Sequence, residues 1–166
     1  ARSMQAPFKL HIERLFRETP NVHFSDLGIP GSNGLDLVRH SGPAVSPPDR
    51  NGEKQFYLHY HQTDNNRVLS GSRLFELVCP YWSQPHWFVY LTPDTGALEI
   101  PEKCFHRSYS CKEGSILVNQ AIRRPNYNES TEFTPSTPVM DKLPPPSFFN
   151  ITGKEAAHFI QHGTIQ

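Results

Sequence analysis

The sequence predicts an all-β protein, an antiparallel sandwich or barrel with a short helix near each end. Three observations carry that reading. Short segments with period-two alternation recur between residues 54 and 124, each closed by a Gly, Pro, Asn or Ser signal, which is the spacing of antiparallel strands joined by turns. Proline is abundant, at 16 residues, which speaks against a helical bundle and for turns and sheet edges. Aromatic side chains make up 11% of the chain against a hydrophobic total of 36%, so the core must lean on rings. At 166 residues the chain is one domain's worth, long enough to bury a core without metal or disulfide staples.

Taken in order, residues 7–19 read as an amphipathic helix, because Phe8, Ile12, Leu15 and Phe16 fall at i, i+4, i+7 and i+8, and Pro20 stops it. Residues 25–53 are loop-rich, with Leu35–Val38 as a short edge strand. The barrel core spans about 50–124. Gln55–His61 alternates as a strand. Arg67–Leu69 and Arg73–Val78 flank a tight reversal at Ser70-Gly71-Ser72. Trp87–Leu91 is closed by Pro93-Asp94-Thr95-Gly96. Ala97–Ile100 and Phe105–Tyr109 follow, then a turn at Lys112–Gly114 and a last strong strand, Ser115–Ile122. Residues 125–149 are rich in Pro, Ser, Thr and Asn and read as an extended surface segment. Thr152 and Glu155 form a capping box that opens a helix over 152–162, and Gly163 ends it.

Composition excludes several functions. Sixteen basic and sixteen acidic residues cancel, so nothing favours nucleic acid, whose binding needs a basic excess. No apolar run approaches the ~20 residues that span a bilayer, and no hydrophobic signal region follows the N-terminus. Cys79, Cys104 and Cys111 show no C-x-x-C spacing and read as reduced thiols of a cytoplasmic protein. On that reading the sequons at Asn128 and Asn150 are chance matches.

Nine histidines are many for this length. Most fall in loops and helices and read as surface residues; His86, at a strand start, is open to either reading. His59 and His61 stand apart. On a strand, residues i and i+2 share a face, so the two imidazoles could share one metal ion, or simply face water. Leu58 and Phe56, with Leu74, Leu77, Ile116 and Val118, would pack on the opposite faces. Farther on, Ser115, Leu117, Asn119, Ala121 and Arg123 share one face and Ile116, Val118 and Ile122 the other, a barrel wall with a ligand side and a packing side. Arg73, Glu76, Tyr57, Tyr109, Gln120 and Arg123 could line the same cavity. Trp82, Trp87 and Tyr90 read as packing residues at a sheet edge.

Around these histidines the chain resembles the cupin superfamily of small jelly-roll barrels. Its first motif, G-x5-H-x-H-x3–4-E-x6-G, is matched by His59, His61 and Gly71, with Asp64 at the acidic position but with only two residues between it and His61. Its second, G-x5-P-x-G-x2-H-x3-N, is matched by Gly96, Pro101 and His106, with one residue fewer after Gly96 and with Lys103 and Ser110 in place of the motif's Gly and Asn. The resemblance covers roughly residues 50–124. It implies a jelly-roll barrel with His59, His61, His106 and Asp64 converging inside it as metal ligands, Fe(II) foremost, with Zn, Ni or Mn as other occupants. The expected function is metal-dependent chemistry of the non-heme iron oxygenase kind on a small polar molecule, with Arg73, Asn119 and Arg123 binding substrate. Two alternatives stand beside it. One is a metal-free sugar-nucleotide epimerase or isomerase, in which a barrel histidine and Tyr57 or Tyr109 move protons. The other is a non-catalytic ligand-binding barrel. A homodimer is expected under each reading.

Overall fold

A computed structural model describes residues 5–165. Ten strands form two facing five-stranded sheets. The first sheet contains β1 (Lys9–His11), β4 (Gly34–His40), β6 (Gln62–Ser70), β9 (Ala97–Ile100) and β11 (Ser115–Arg123), in the spatial order β1-β9-β6-β11-β4. The second contains β5 (Val45–Ser46), β7 (Arg73–Val78), β8 (His86–Leu91), β10 (Phe105–Ser110) and β12 (Ser147–Phe149), in the order β12-β8-β7-β10-β5. All pairings are antiparallel except β12 on β8. A separate two-stranded ribbon joins β2 (Arg14–Thr19) to β3 (Val22–Asp26). Two helices complete the chain, α1 (Glu129–Glu132) and α2 (Gly153–His162). This is the antiparallel jelly-roll barrel the sequence predicts.

Alternation decides which residues enter the barrel. On β11, Ser115, Leu117, Asn119 and Ala121 are buried, whereas Ile116, Val118 and Ile122 are half-buried on the outer side. Leu77 and Leu117 join Val68, Phe75, Val89 and Leu98 in the inner core. Leu74 lies in a second cluster with Phe88, Tyr109 and Phe159 on the outer face of the second sheet, under α2. The expected core of Leu74, Leu77, Ile116 and Val118 is therefore split. Leu74 and Leu77 are three residues apart, an odd interval, and must face opposite ways.

The reversal between β6 and β7 turns on Gly71, at φ 72°, where an added Cβ would run into the Gly114 carbonyl oxygen; only glycine suits both the dihedral and the close approach. The predicted C-terminal helix is present. Thr152 accepts from the Glu155 N–H, Glu155 caps in return, and Gly163 closes α2 at φ 71°.

Other expectations fail as well. Residues 7–19 are not a helix but β1 and β2. Phe8 alone of the presumed stripe is buried, edge-on to Trp87 and Phe149 at 5.3 and 5.2 Å, while Ile12 is 72% exposed. Pro20 and Asn21 form the two-residue turn of a hairpin in which Thr19 pairs with Val22, and Asn21 takes φ 62°. Proline at the first central position and asparagine at the second are a turn signature rather than a helix stop. Residues 55–61 are not a continuous strand either. Phe56 and Tyr57 make isolated bridges to Ser136 and His106, the chain bends at Tyr60 and His61, and β6 starts only at Gln62. The barrel also recruits strands outside 50–124, at β1, β4, β5 and β12. No helix among the described residues is long and apolar enough to cross a membrane.

Candidate functional site

Three of the four residues expected as ligands meet inside the barrel. His59, Asp64 and His106 are all buried, and one ligand atom from each lies within 4.8 Å of the others. His106 projects inward from β10 and Asp64 from β6. His59 arrives on the bent segment before β6, where its carbonyl accepts from Lys103 N at 2.8 Å. Each imidazole is oriented from behind. His59 Nδ1 lies 2.8 Å from the Glu132 carbonyl oxygen and His106 Nδ1 3.0 Å from the Cys104 carbonyl oxygen. A carbonyl can only accept, so both Nδ1 atoms carry hydrogen. Both Nε2 atoms then face Asp64 Oδ2, at 3.5 Å from His59 and 3.2 Å from His106. The other carboxylate oxygen, Oδ1, accepts from Gln62 Nε2 at 2.6 Å and Asn119 Nδ2 at 3.0 Å.

His61 is not part of this cluster. The bend at Tyr60 and His61 breaks the strand parity that would have joined it to His59. Its Nδ1 instead meets Glu132 Oε1 at 2.6 Å, and Glu132 Oε2 accepts from the Tyr60 and His61 N–H groups. Glu132, 2% exposed, was not legible in the sequence. It sits on α1, in the segment expected to run extended along the surface, and its one local signal is Asn128, whose side chain caps that helix.

The remaining candidates divide by parity. Arg73 and Asn119 line the cavity with Tyr57, Asp36, Asn66 and Phe133. Arg73 Nε donates to Ser115 Oγ at 2.9 Å and Nη2 to two backbone carbonyls, leaving Nη1 without a partner among the described residues. The Tyr57 ring stacks on His59, 6.3 Å between centroids, and its hydroxyl lies 3.5 Å from Ser46 Oγ. Tyr109 and Glu76 are on the other side of the sheet, hydrogen-bonded to each other at 2.6 Å; each is an odd number of residues from an inward neighbour on its strand, His106 and Arg73. Gln120 likewise faces outward, donating to the Leu27 carbonyl. Arg123 pairs with Asp36 at 2.5 Å and donates to Gln62 Oε1 at 2.8 Å, so it reaches Asp64 only through Gln62. The cavity these residues line is about 80 Å³. Phe133, exposed on its outer side, lies over it, with its ring 5.1 Å from that of His59.

Burial works against the charge of Asp64, yet the two imidazoles hold its carboxyl well below the usual carboxylate range. Burial likewise opposes an imidazolium at His59, but Asp64 and the Glu132 carbonyl raise the ring above its ordinary value. Arg73 is lowered by burial to about 10 and remains charged at neutral pH. Behind it, burial first and the Arg73 charge second lower His40 to about 4. These shifts set a stability optimum. Between pH ~6.5 and about 4 the unfolded chain protonates a histidine that the folded chain keeps neutral at His40, so stability falls with acid. His59 acts in the opposite sense: its contribution is complete below pH ~6.5 and is lost as pH rises through its raised value. Melting temperature should therefore peak near pH ~6.5. A melting temperature that still climbs at pH 8 would contradict the His59–Asp64 pairing.

No family model matches the sequence, and no curated protein matches it. Solved structures do. A sugar 3,4-ketoisomerase from Thermoanaerobacterium thermosaccharolyticum, in complex with TDP, superposes with a TM-score of 0.58 at 15% identity, over 77% of this chain and 88% of that one. A 3,4-ketoisomerase from Helicobacter canadensis gives 0.57 at 14%, over 76% and 90%. The dTDP-4-dehydrorhamnose 3,5-epimerase of Bacillus anthracis, with TDP and PPi bound, gives 0.57 at 15%, over 86% and 89%. These are cupin-fold proteins, and the chain has their fold.

Proposed function

We propose that the chain is a sugar-nucleotide isomerase or epimerase that moves a proton on a carbon beside a ketone. The observation that carries this reading is the buried Asp64 carboxylate held between two imidazoles whose Nδ1 atoms are locked on carbonyls, beside the Tyr57 phenol. The shared fold with sugar isomerases supports the substrate class. His106 serves as the base: its Nε2 takes the proton from carbon, and Asp64 stabilises the imidazolium that forms. Arg73 Nη1 stabilises the enolate oxygen, and Tyr57 returns a proton. Asn119 fixes the Asp64 carboxylate. The three buried free thiols fit a reducing, cytoplasmic setting. A homodimer would cover the exposed Leu15, Phe16 and Phe24 of the β2–β3 ribbon, and light scattering at twice 19.0 kDa would register it.

The same geometry supports a second reading. Two Nε2 atoms and a carboxylate converging on one point form a set that a divalent ion accepts, Fe(II), Zn, Ni or Mn, and carbonyl-anchored Nδ1–H groups are how ligating histidines are commonly held. His59, His106 and Asp64 would hold the ion, which would supply Lewis-acid or redox chemistry when bound; His61 would not contribute.

One experiment addresses both. The protein is incubated in D₂O with TDP-4-keto-6-deoxyglucose, before and after chelation, with metal content measured in parallel. Deuterium incorporation at the carbon beside the ketone that survives chelation is the expected result. Exchange that is absent throughout, with about one tightly held ion per chain, would replace the first reading with the second.

A further inference from the structure

Beyond the Asp64 cluster, toward the turn at Gly71, the barrel interior stays polar. On β10 Ser108 follows His106 at i+2, and on β6 Asn66 follows Asp64 at i+2, so both point inward one layer, ~6.7 Å, farther along. Arg73 on β7 pairs with Ser110 and lies a further layer down. All three line the cavity, and Asn66, Ser108 and Arg73 are 5%, 5% and 1% exposed. Buried polar groups are as a rule hydrogen-bonded. Here the Asn66 amide and the Ser108 hydroxyl make no hydrogen bond among the described residues. Arg73 commits Nε and Nη2 to Ser115 and the Val38 carbonyl and leaves Nη1 open.

Charge is unmatched at the same place. Of the other charged side chains on the lining, Asp64 lies between two imidazoles, Asp36 pairs with Arg123 at 2.5 Å and Arg107 with Asp49 at 2.8 Å. Arg73 meets no carboxylate among the described residues, and it remains charged. A buried cation without a counter-charge is costly, and an arriving anion relieves that cost. Shape selects the anion. The end at Arg73 is closed by the Ser110 and Ser115 hydroxyls, hydrogen-bonded to each other at 2.5 Å, so it admits only a terminal group. A diphosphate inside a sugar nucleotide carries a substituent at each end and does not fit. With ~30 Å³ as the share of one water, a cavity of about 80 Å³ takes one small acid group and the atoms beside it.

We infer that this end of the barrel is a carboxylate subsite, and that the sugar of the nucleotide-linked substrate is a uronic acid. The inference rests on the isomerase reading above and names its substrate class. One carboxylate oxygen accepts from Arg73 Nη1, the other from the Asn66 amide and the Ser108 hydroxyl. Nη1 carries two hydrogens, one for the acid and one for the enolate oxygen. With the ketone next to the carbon that bears the acid, both oxygens are close enough to share that nitrogen.

Calorimetry on the wild-type protein compares TDP-glucuronate, TDP-glucose and TDP, which share the nucleotide and differ in the sugar. TDP-glucuronate should bind about tenfold more tightly than TDP-glucose, or better, the value of one charge-assisted hydrogen bond. Asn66→Leu and Ser108→Ala should each shrink the ratio of those two affinities, with melting temperature checking that each variant folds. Equal affinity for the two sugar nucleotides overturns the subsite, and deuterium exchange into TDP-4-keto-6-deoxyglucose would then leave the isomerase reading standing without it. TDP binding as tightly as TDP-glucuronate, a glucuronate preference kept in full by both variants, or no binding of any probe would each overturn it as well. A glucuronate preference lost in the variants, with no exchange into the keto sugar, would uphold the subsite and count against the isomerase reading alone.

Discussion

Asp64→Asn is expected to lower exchange of the proton beside the ketone by about 10²–10⁴-fold, the range of a lost acid–base partner, with little change in fold. Asparagine has the shape of aspartate. Its carbonyl can still accept from Gln62 and Asn119, which bond Oδ1 in the parent, and its amide then faces the two imidazoles. What disappears is the charge that holds a proton on His59 and would stabilise one on His106. The alkaline decline in melting temperature should flatten in the same variant, since the cause of the raised His59 value is gone. His61→Ala is the contrast. His61 lies outside the cluster, and its loss should leave exchange close to wild type. Exchange abolished by His61→Ala and unaffected by Asp64→Asn would overturn the assignment.

Glu132→Ala should be the most destabilising single truncation near the site. The carboxylate is buried and accepts from Tyr60 N at 3.0 Å, from His61 N at 3.3 Å and from His61 Nδ1 at 2.6 Å. Removing it strands those donors, and because His61 is 35% exposed and water can reach it, the loss is about 1–3 kcal/mol. For a chain of this size that corresponds to roughly 5 °C in melting temperature. The loss should extend to function, because the backbone carbonyl of this residue fixes His59 Nδ1 and Phe133 roofs the cavity. A melting temperature within roughly 2 °C of wild type would show that α1 does not hold the bend in place.

The strands between Arg73 and Arg123 were legible because each is a short apolar or alternating run that ends at a turn residue, so run length and turn placement located them within a residue or two. The N-terminal ribbon was not. Phe8, Ile12, Leu15 and Phe16 happen to share a helical spacing, but three of the four face solvent, and periodicity counts apolar residues without knowing which are buried. At the site, Asp64 and His106 were legible from the cupin-like spacing. His61 was misjudged because parity applies only along an unbroken strand, and the bend at Tyr60 depends on a glutamate more than seventy residues away. Tyr109 was excluded by parity alone, lying three residues beyond His106 on the same strand. Glu132 had no periodic context, so nothing local distinguished it from the other polar residues of its segment.

The parallel pairing of β12 on β8 bears on the chain while it is being made. β8 reads His86-Trp87-Phe88-Val89-Tyr90-Leu91, an uncharged, aromatic and β-branched run of the kind that seeds intermolecular strand addition. In the finished barrel one of its edges is sealed by β7 and the other by Ser147–Phe149. That second seal lies about 60 residues later in the sequence. Until it emerges, the edge of β8 is open to any other strand in reach. Aggregation during synthesis, and in any form cut short before residue 147, is therefore expected to start at β8.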